Sequence, residues 1–342
     1  MTFSFIVPVY NTAAYLPRCI QSLLPALRGG DEILLSLGHS RDDSEAIAMD
    51  LAAEHSAIRC LYQDATGLGD ARNCAISQAQ GDYVVCVDSD DYVMTDALGA
   101  LLDRIRQEGW TEDLIFCDYY RQDGDAPPRP CFFFGERSDL CGAEHLPELL
   151  ENRRNFCTVW RYLYKLSFLR EHNICYLGQS MAEDVDYTTS VYLAGPSVRY
   201  THSPYYVYTT GRGGSLMDTA DFRRLEETVR VLTQSISRLR ASALPHAGAM
   251  IAQLQYELIL TSALLYELPR GQRRQALPLL EAAAALLLPT TDPGSSAAPG
   301  PSGCWDRRPW PMPCIPPSAP GISCAPDSKE NEITYTERRL TT

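Results

Sequence analysis

The chain lacks an excess of positive charge, a CxxC pair, a basic leader and any long unbroken apolar run. Each absence excludes something. Thirty lysines and arginines stand against 43 aspartates and glutamates, a formal net charge of −13. That balance excludes a nucleic-acid partner held through a general basic surface, though not a local basic pocket. The twelve cysteines are scattered. Cys60, Cys86, Cys117 and Cys157 fall inside apolar runs, where a free thiol packs as a small hydrophobe, so neither a disulfide framework nor a zinc site is expected. The opening MTFSFIVPVYN reads as a first strand rather than a signal peptide. Without an apolar run of about 18 residues the sequence predicts no transmembrane helix. The expected location is the reducing cytoplasm.

What is present is a regular alternation. FSFIVPVYN is a β-rich run, and Pro8 marks an end or edge of regular pairing. AAYLPRCIQSLLPAL follows with apolar residues at helical spacing and a stop at Gly29-Gly30. DEILLSL, IRCLYQD and YVVCVDSD read as further strands, separated by DDSEAIAMDLAAEH and GDARNCAISQAQ as helices, and TDALGALLDRIRQEG as a fourth helix. Strands and helices in this order imply a parallel sheet covered by helices. Ligands of such sheets bind beyond the carboxyl ends of the strands. Further on, DLIFCDYYRQDG and RPCFFFGE read as strands and GAEHLPELLENRRNFCTVWRYLYKLSFLREHN as mostly helical. SVRYTHSPYYVYTTGRGGS reads as a pair of short β-segments, and the stretch from about Asp218 to Leu288 as amphipathic helix. From Pro289 the composition turns to Pro, Gly, Ser and Ala, which cannot bury enough apolar surface to order itself. The expected organisation is a domain over 1–215, a helical extension over 216–288 and a disordered tail over 289–342.

Four stretches can carry chemistry. Asp88 and Asp90 follow the fourth strand at i and i+2, where two carboxylates can converge on one hard cation such as Mg²⁺ or Mn²⁺. The alternative is a turn whose carboxylates bind backbone N–H groups, the role expected of Asp91. Arg72 lies near a helix N-terminus, where a guanidinium can hold a phosphate; the alternative is a surface ion pair with Asp70. Glu183 and Asp184 open a helical stretch, as a general base or as charges complementing the helix dipole. Arg212, Gly213, Gly214 and Ser215 form a cationic loop or an ordinary strand exit.

Taken in order, FIVPVYNTAAYLPRCIQSLL, GLGDARNCAISQAQGDYVVCVDSDD, AEDVDY and YYVYTTGRGGS resemble the family 2 glycosyltransferases, the inverting GT-A enzymes of bacterial polysaccharide assembly. The resemblance spans roughly residues 3 to 215. It implies an α/β, GT-A-type nucleotide-diphospho-sugar transferase fold: a Rossmann-like, mostly parallel sheet sandwiched by helices, with a helical C-terminal extension. Asp88 and Asp90 match the motif that holds the divalent metal and, through it, the donor diphosphate. Asp184 matches the catalytic base. Arg72 matches the arginine near the nucleotide. Pro8, Tyr10 and Asn11 match the strand end along the nucleoside. Arg212 and Ser215 match the flexible cover. The implied partners are a nucleotide sugar and a glycan or lipid-linked acceptor, with shallow membrane association of the helical region at the inner face of the membrane as an alternative to plain helical packing.

One departure stands out. The second strand of family members usually leads into Asp-Asp-Gly-Ser, whose aspartate reads the base. Here Leu37 and Gly38 stand in place of the two aspartates and His39 in place of the glycine, while Ser40, Asp42 and Ser44 keep the rest. Base reading would fall to backbone groups, His39 or Asp42, or the donor is not the usual uridine nucleotide. Loss of donor binding would leave a non-catalytic, glycosyltransferase-like binding or scaffold protein. A metal-dependent phosphatase-like hydrolase is the other rival, disfavoured because three βα units precede the aspartates.

Overall fold

A computed structural model describes residues 1–63, 67–132, 139–141, 157–178, 181–211, 221–245 and 247–287. The strands are β1 (Phe3–Val9), β2 (Glu32–Leu37), β3 (Ile58–Tyr62), β4 (Tyr83–Cys86), β5 (Tyr92–Val93), β6 (Leu114–Asp123), β7 (Arg129–Cys131), β8 (Leu140–Cys141), β9 (Tyr162–Lys165) and β10 (Val198–Thr210). The described α-helices are α1 (Leu16–Leu23), α2 (Ser44–Glu54), α3 (Leu68–Gln78), α4 (Thr95–Glu108), α5 (Leu166–Glu171), α6 (Glu183–Leu193), α7 (Phe222–Ala241), α8 (Ala247–Ala263) and α9 (Arg270–Ala284).

All the strands join one sheet, in the order β3-β2-β1-β4-β9-β6-β10-β5, with β7 on β6 and β8 on β10. The first four strands pair in parallel, as the βα alternation predicts. Beyond them the sheet is mixed: β9 runs antiparallel to both β4 and β6, while β6 and β10 are parallel. Strand β1 is buried along its whole length, the mark of a central strand covered on both faces. Phe3, Phe5, Val7 and Val9 pack on one side against Leu16, Ile20 and Leu23 of α1 and Leu98, Leu101 and Ile105 of α4. Ile6 faces the other side, with Ala75 of α3, Tyr187 and Val191 of α6, and Leu225, Val229, Leu232 and Ile236 of α7. The layers are therefore helix, sheet, helix, and α7 to α9 share the second core.

Two sequence expectations are corrected. YLYK is not helical: it is β9, in the middle of the sheet, with Tyr162 and Tyr164 on one face and Leu163 on the other. Period-two alternation over four residues, followed at once by α5, is too short to register against helical neighbours. VRYTHSPYYVYTT is not two segments but one 13-residue strand, β10, whose register with β6 shifts between Thr201 and Tyr206. Pro204 lies in this bulge, where a missing N–H costs no ladder bond. A third point concerns length and composition: residues 247–266 have those of a membrane span, with mean hydropathy 1.2, where the sequence reading found no such run. The expectation of disorder over 289–342 lies outside the described residues.

Candidate active site

Val87 continues the ladder by donating its N–H to Ile6 O at 2.9 Å, and the chain then leaves the sheet. Asp91 N–H donates back to Asp88 O at 3.0 Å, closing a turn over Asp88–Asp91 at the carboxyl end of β4. The turn is pinned from β10. Asp88 N–H donates to the Tyr206 oxygen at 3.1 Å, and Tyr206 O–H donates to Asp91 Oδ2 at 2.7 Å. Thr209 N–H donates to Asp91 Oδ1 at 2.7 Å. Asp91 is thus a buried tie between the turn and β10, more than the plain turn residue expected. Burial, with Asp88 and Asp90 beside it, pushes its carboxyl up to about 8. Tyr206 is held in turn by a parallel stack on Trp160, ring centroids 4.4 Å apart.

Arg72 is the hub. It is 1% exposed, not a surface partner of Asp70. Its Nη2 donates to Asp88 Oδ1 at 2.9 Å, and its Nη1 to Asp184 Oδ1 at 2.7 Å and Glu183 Oε1 at 3.1 Å. Burial opposes its charge, but Asp184 and Asp88 outweigh this and hold the guanidinium protonated well above its ordinary range. One buried cation therefore joins the β4 turn to the N-terminus of α6. Asn73 reinforces the join: its Nδ2 donates to Tyr176 O at 2.9 Å and its Oδ1 accepts from Tyr176 N–H at 2.8 Å. Gly69 permits the approach, since a Cβ there would lie 2.4 Å from Leu177 O. Tyr176 stacks on Tyr187 of α6 with centroids 3.8 Å apart. Asn73, Tyr176 and Tyr206 are site residues that sequence reasoning missed; the adjacency of Asn73 to Arg72 was the available signal.

Asp184 lies in the first turn of α6. Burial, then the neighbouring Glu183 and Asp88, push its carboxyl up to about 7 against the pull of Arg72. Its second oxygen has no hydrogen-bond partner among the described residues, and its side chain is 29% exposed. A carboxylate tuned near neutrality with one oxygen anchored is suited to accept a proton on the other.

The carboxyl ends of β1 and β2 form a second group. Tyr10 is 52% exposed, and its ring lies 3.8 Å from where a Cβ on Gly38 would stand. Pro8 is buried within β1, paired with Ser36. Asn11 takes a left-handed conformation (φ 51°), and its Oδ1 accepts from Arg41 N–H at 2.7 Å. Asp42 accepts from Ala13 N–H at 3.0 Å and Ser44 N–H at 3.1 Å. These bonds, with the Ser44 hydroxyl, hold its carboxyl below the usual range although burial works the other way. Asp42 thereby knits two loops, with both carboxylate oxygens engaged. His39 is exposed, also with positive φ (40°). Arg212 and Ser215 lie outside the described residues.

For a divalent metal, the chemistry of Asp88 and Asp90 fits: hard oxygen donors, half-buried, at the mouth of the sheet. No cluster of three or more His, Cys, Asp or Glu arranged for a metal occurs among the described residues, so further ligands would have to come from donor oxygens and water.

Residues 4–155 match the model of glycosyl transferase family 2. The uncharacterized glycosyltransferase EpsJ of Bacillus subtilis is 31% identical over 215 residues, 60% of this chain and 60% of EpsJ. The crystal structure of S. aureus TarS 1–349 in complex with UDP-GlcNAc superposes with a TM-score of 0.68 at 21% identity, covering 84% of this chain and 82% of that one. Over residues 4–155 the chain is similar to glycosyl transferase family 2, and it spans about 60% of the length of EpsJ. Its fold is of the GT-A type. A more distant fold relative is the mannosyltransferase PcManGT of Pyrobaculum calidifontis, in complex with GDP-Man and Mn²⁺, with a TM-score of 0.51 at 17% identity over 83% of this chain and 86% of that one. Leu37, where the resemblance would place a carboxylate, is buried in the sheet core.

Proposed function

We propose that the chain is a metal-dependent, inverting glycosyltransferase that moves a sugar from a nucleotide donor to a glycan or lipid-linked acceptor in cell-envelope polysaccharide synthesis. The observation that carries this reading is the buried Arg72 guanidinium, bonded to Asp88 on one side and to Asp184 and Glu183 on the other. It fixes the position of a proton acceptor relative to the donor-side carboxylates, as a displacement between two bound substrates requires.

Asp88 and Asp90 would hold Mg²⁺ or Mn²⁺; when bound, the cation supplies charge stabilisation to the departing nucleoside diphosphate. The exposed Tyr10 ring offers a face on which a nucleobase can stack. Asp184 takes the acceptor hydroxyl proton as that oxygen attacks the anomeric carbon. Attack opposite the leaving group inverts the configuration, and a general base of this kind contributes about 10²–10⁴-fold. Arg72 holds Asp184 in place and Tyr206 holds the aspartate turn.

The replacement of the base-reading carboxylates by Leu37 and Gly38 favours one second reading, a binding or scaffold protein without turnover. A screen of nucleotide sugars for Mn²⁺- or Mg²⁺-dependent thermal stabilisation, followed by NMR of the anomeric configuration in the product, separates the two. Stabilisation by one nucleotide sugar and an inverted product support the enzyme. Binding without diphosphate release supports the scaffold, and a retained configuration removes Asp184 from its role.

A further inference from the structure

Adjacent helices of the C-terminal region present opposite surfaces. On α7 the exposed positions are Arg223, Glu226, Arg230, Gln234, Ser237 and Arg238, with Ala241 at the very end, so the face is polar up to its last residue, as a water-facing helix face should be. From the start of α8 to Tyr266 the exposed positions are Gly248, Ala252, Tyr256, Ile259, Leu260, Ala263 and Tyr266. They recur at helical spacing, form one stripe, and include no charged side chain. Ile259 is 52% exposed and Tyr266 78%. The single ionisable carboxylate in this stretch, Glu257, is not on the stripe. A contiguous apolar surface of this kind marks an interaction site.

Cations stand at one end of it. Between Leu268 and Leu280 there are three arginines and no carboxylate, in a chain whose net charge is −13; Glu267 and Glu281 bound the segment. Arg273 donates to the carbonyls of Tyr266 and Leu268, which ties a guanidinium to the tyrosine end of the stripe. Arg270 and Arg274 are exposed in the first turns of α9, and Leu277 follows them, also exposed.

We propose that the apolar stripe of α8, with the arginines of α9, docks on the surface of an anionic lipid bilayer. The other face of α8 decides between lying on the membrane and crossing it. Met250, Leu254 and Leu258 are buried in the core with Leu232 and Ile236, so α8 cannot leave the protein to span a bilayer. It lies in the interface instead, with apolar side chains below the head groups and arginines among the phosphates. A second copy meeting the same stripe would offer those three arginines a single exposed carboxylate, Glu267 at its end, whereas a layer of anionic head groups satisfies both features.

Vesicle sedimentation of the full chain tests this, and it does not depend on the transferase reading. The chain should pellet with vesicles containing phosphatidylglycerol at least about tenfold more than with pure phosphatidylcholine, and less as salt is raised. The Ile259→Ser/Leu260→Ser pair should abolish pelleting on both; Arg270→Gln/Arg274→Gln should remove the preference for anionic lipid. These side chains are exposed, and unchanged circular dichroism melts confirm folding. Failure of the parent to pellet overturns the proposal, as does equal binding to both lipids. A dimer in sedimentation velocity that Ile259→Ser/Leu260→Ser dissociates, with no vesicle binding, overturns it in favour of a contact between copies.

Discussion

At the scale of the residue, the account turns on charges whose surroundings differ from what their neighbours in sequence suggest. Asp184 sits in a helix N-terminal turn, where a carboxylate is ordinarily stabilised, yet burial pushes it up to about 7. Two consequences have opposite signs. Turnover needs the ionised form, so kcat/KM at saturating metal should fall below pH 7, about tenfold per pH unit. Stability runs the other way. A raised folded-state pKa means that ionisation costs stability as pH climbs from the unfolded value of about 4 to about 7. Asp184→Asn should therefore raise the melting temperature relative to the parent more at pH 8 than at pH 5, while turnover is lost at both. Leu37 and Gly38 give a second residue-scale prediction. Leu37→Asp removes a buried leucine from the sheet, a loss of about 2–5 kcal/mol before the burial of a charge is counted. Gly38→Asp places its Cβ at ordinary contact distance, 3.5 Å from the Gln63 amide nitrogen, and should melt within about 0.5 kcal/mol of the parent. Chemical denaturation of both checks this.

At the scale of the element, β10 is the strap of the site. Tyr206 and Thr209 hold the aspartate turn through Asp91, and the stack on Trp160 holds Tyr206. Tyr206→Phe keeps the stack and removes the hydroxyl, leaving Asp88 N–H and one Asp91 oxygen short of a bond; a cost of about 1–3 kcal/mol is expected. If Tyr206 positions the metal ligands, the Mn²⁺ concentration for half-maximal activity should rise more than the donor KM does; an equal rise in both would reduce Tyr206 to general scaffolding. The βα units over the first hundred residues were legible because each apolar run is long enough to show its period, and the resemblance singled out Asp88 and Asp184, which the structure brings together at Arg72. The hub itself was not legible. Helical spacing locates Arg72 near the start of a helix but does not say that residues 88, 183 and 184 close around it. That depends on the order of strands in space and on the Asn73–Tyr176 clasp. β9 was hidden by its four-residue length, and Pro204 disguised a bulge as a break between strands.

At the scale of the whole molecule, the C-terminal helices are part of the fold's interior. Leu225, Val229, Leu232, Ile236 and Leu239 of α7 lie in one cluster with Tyr187, Val191 and Tyr200. At about 1.5–3 kcal/mol for each buried side chain, their loss is comparable to the roughly 5–15 kcal/mol that stabilises a whole domain. A fragment ending at residue 215 should therefore fail to give a cooperative melt, whereas one ending at 287 should give one. The same interior joins both halves of the chemistry, because α6 brings Asp184 to Arg72 while packing on α7. The central claim is that Asp184 is the proton acceptor of a metal-dependent sugar transfer. It is tested most directly by release of nucleoside diphosphate from nucleotide sugars, with acceptor and Mn²⁺ present, in the parent, Asp90→Ala and Asp184→Asn. The account predicts metal-dependent release by the parent, weakened donor binding in Asp90→Ala, and intact donor binding with turnover lowered by about 10²-fold or more in Asp184→Asn. Parent-like turnover by Asp184→Asn would contradict it.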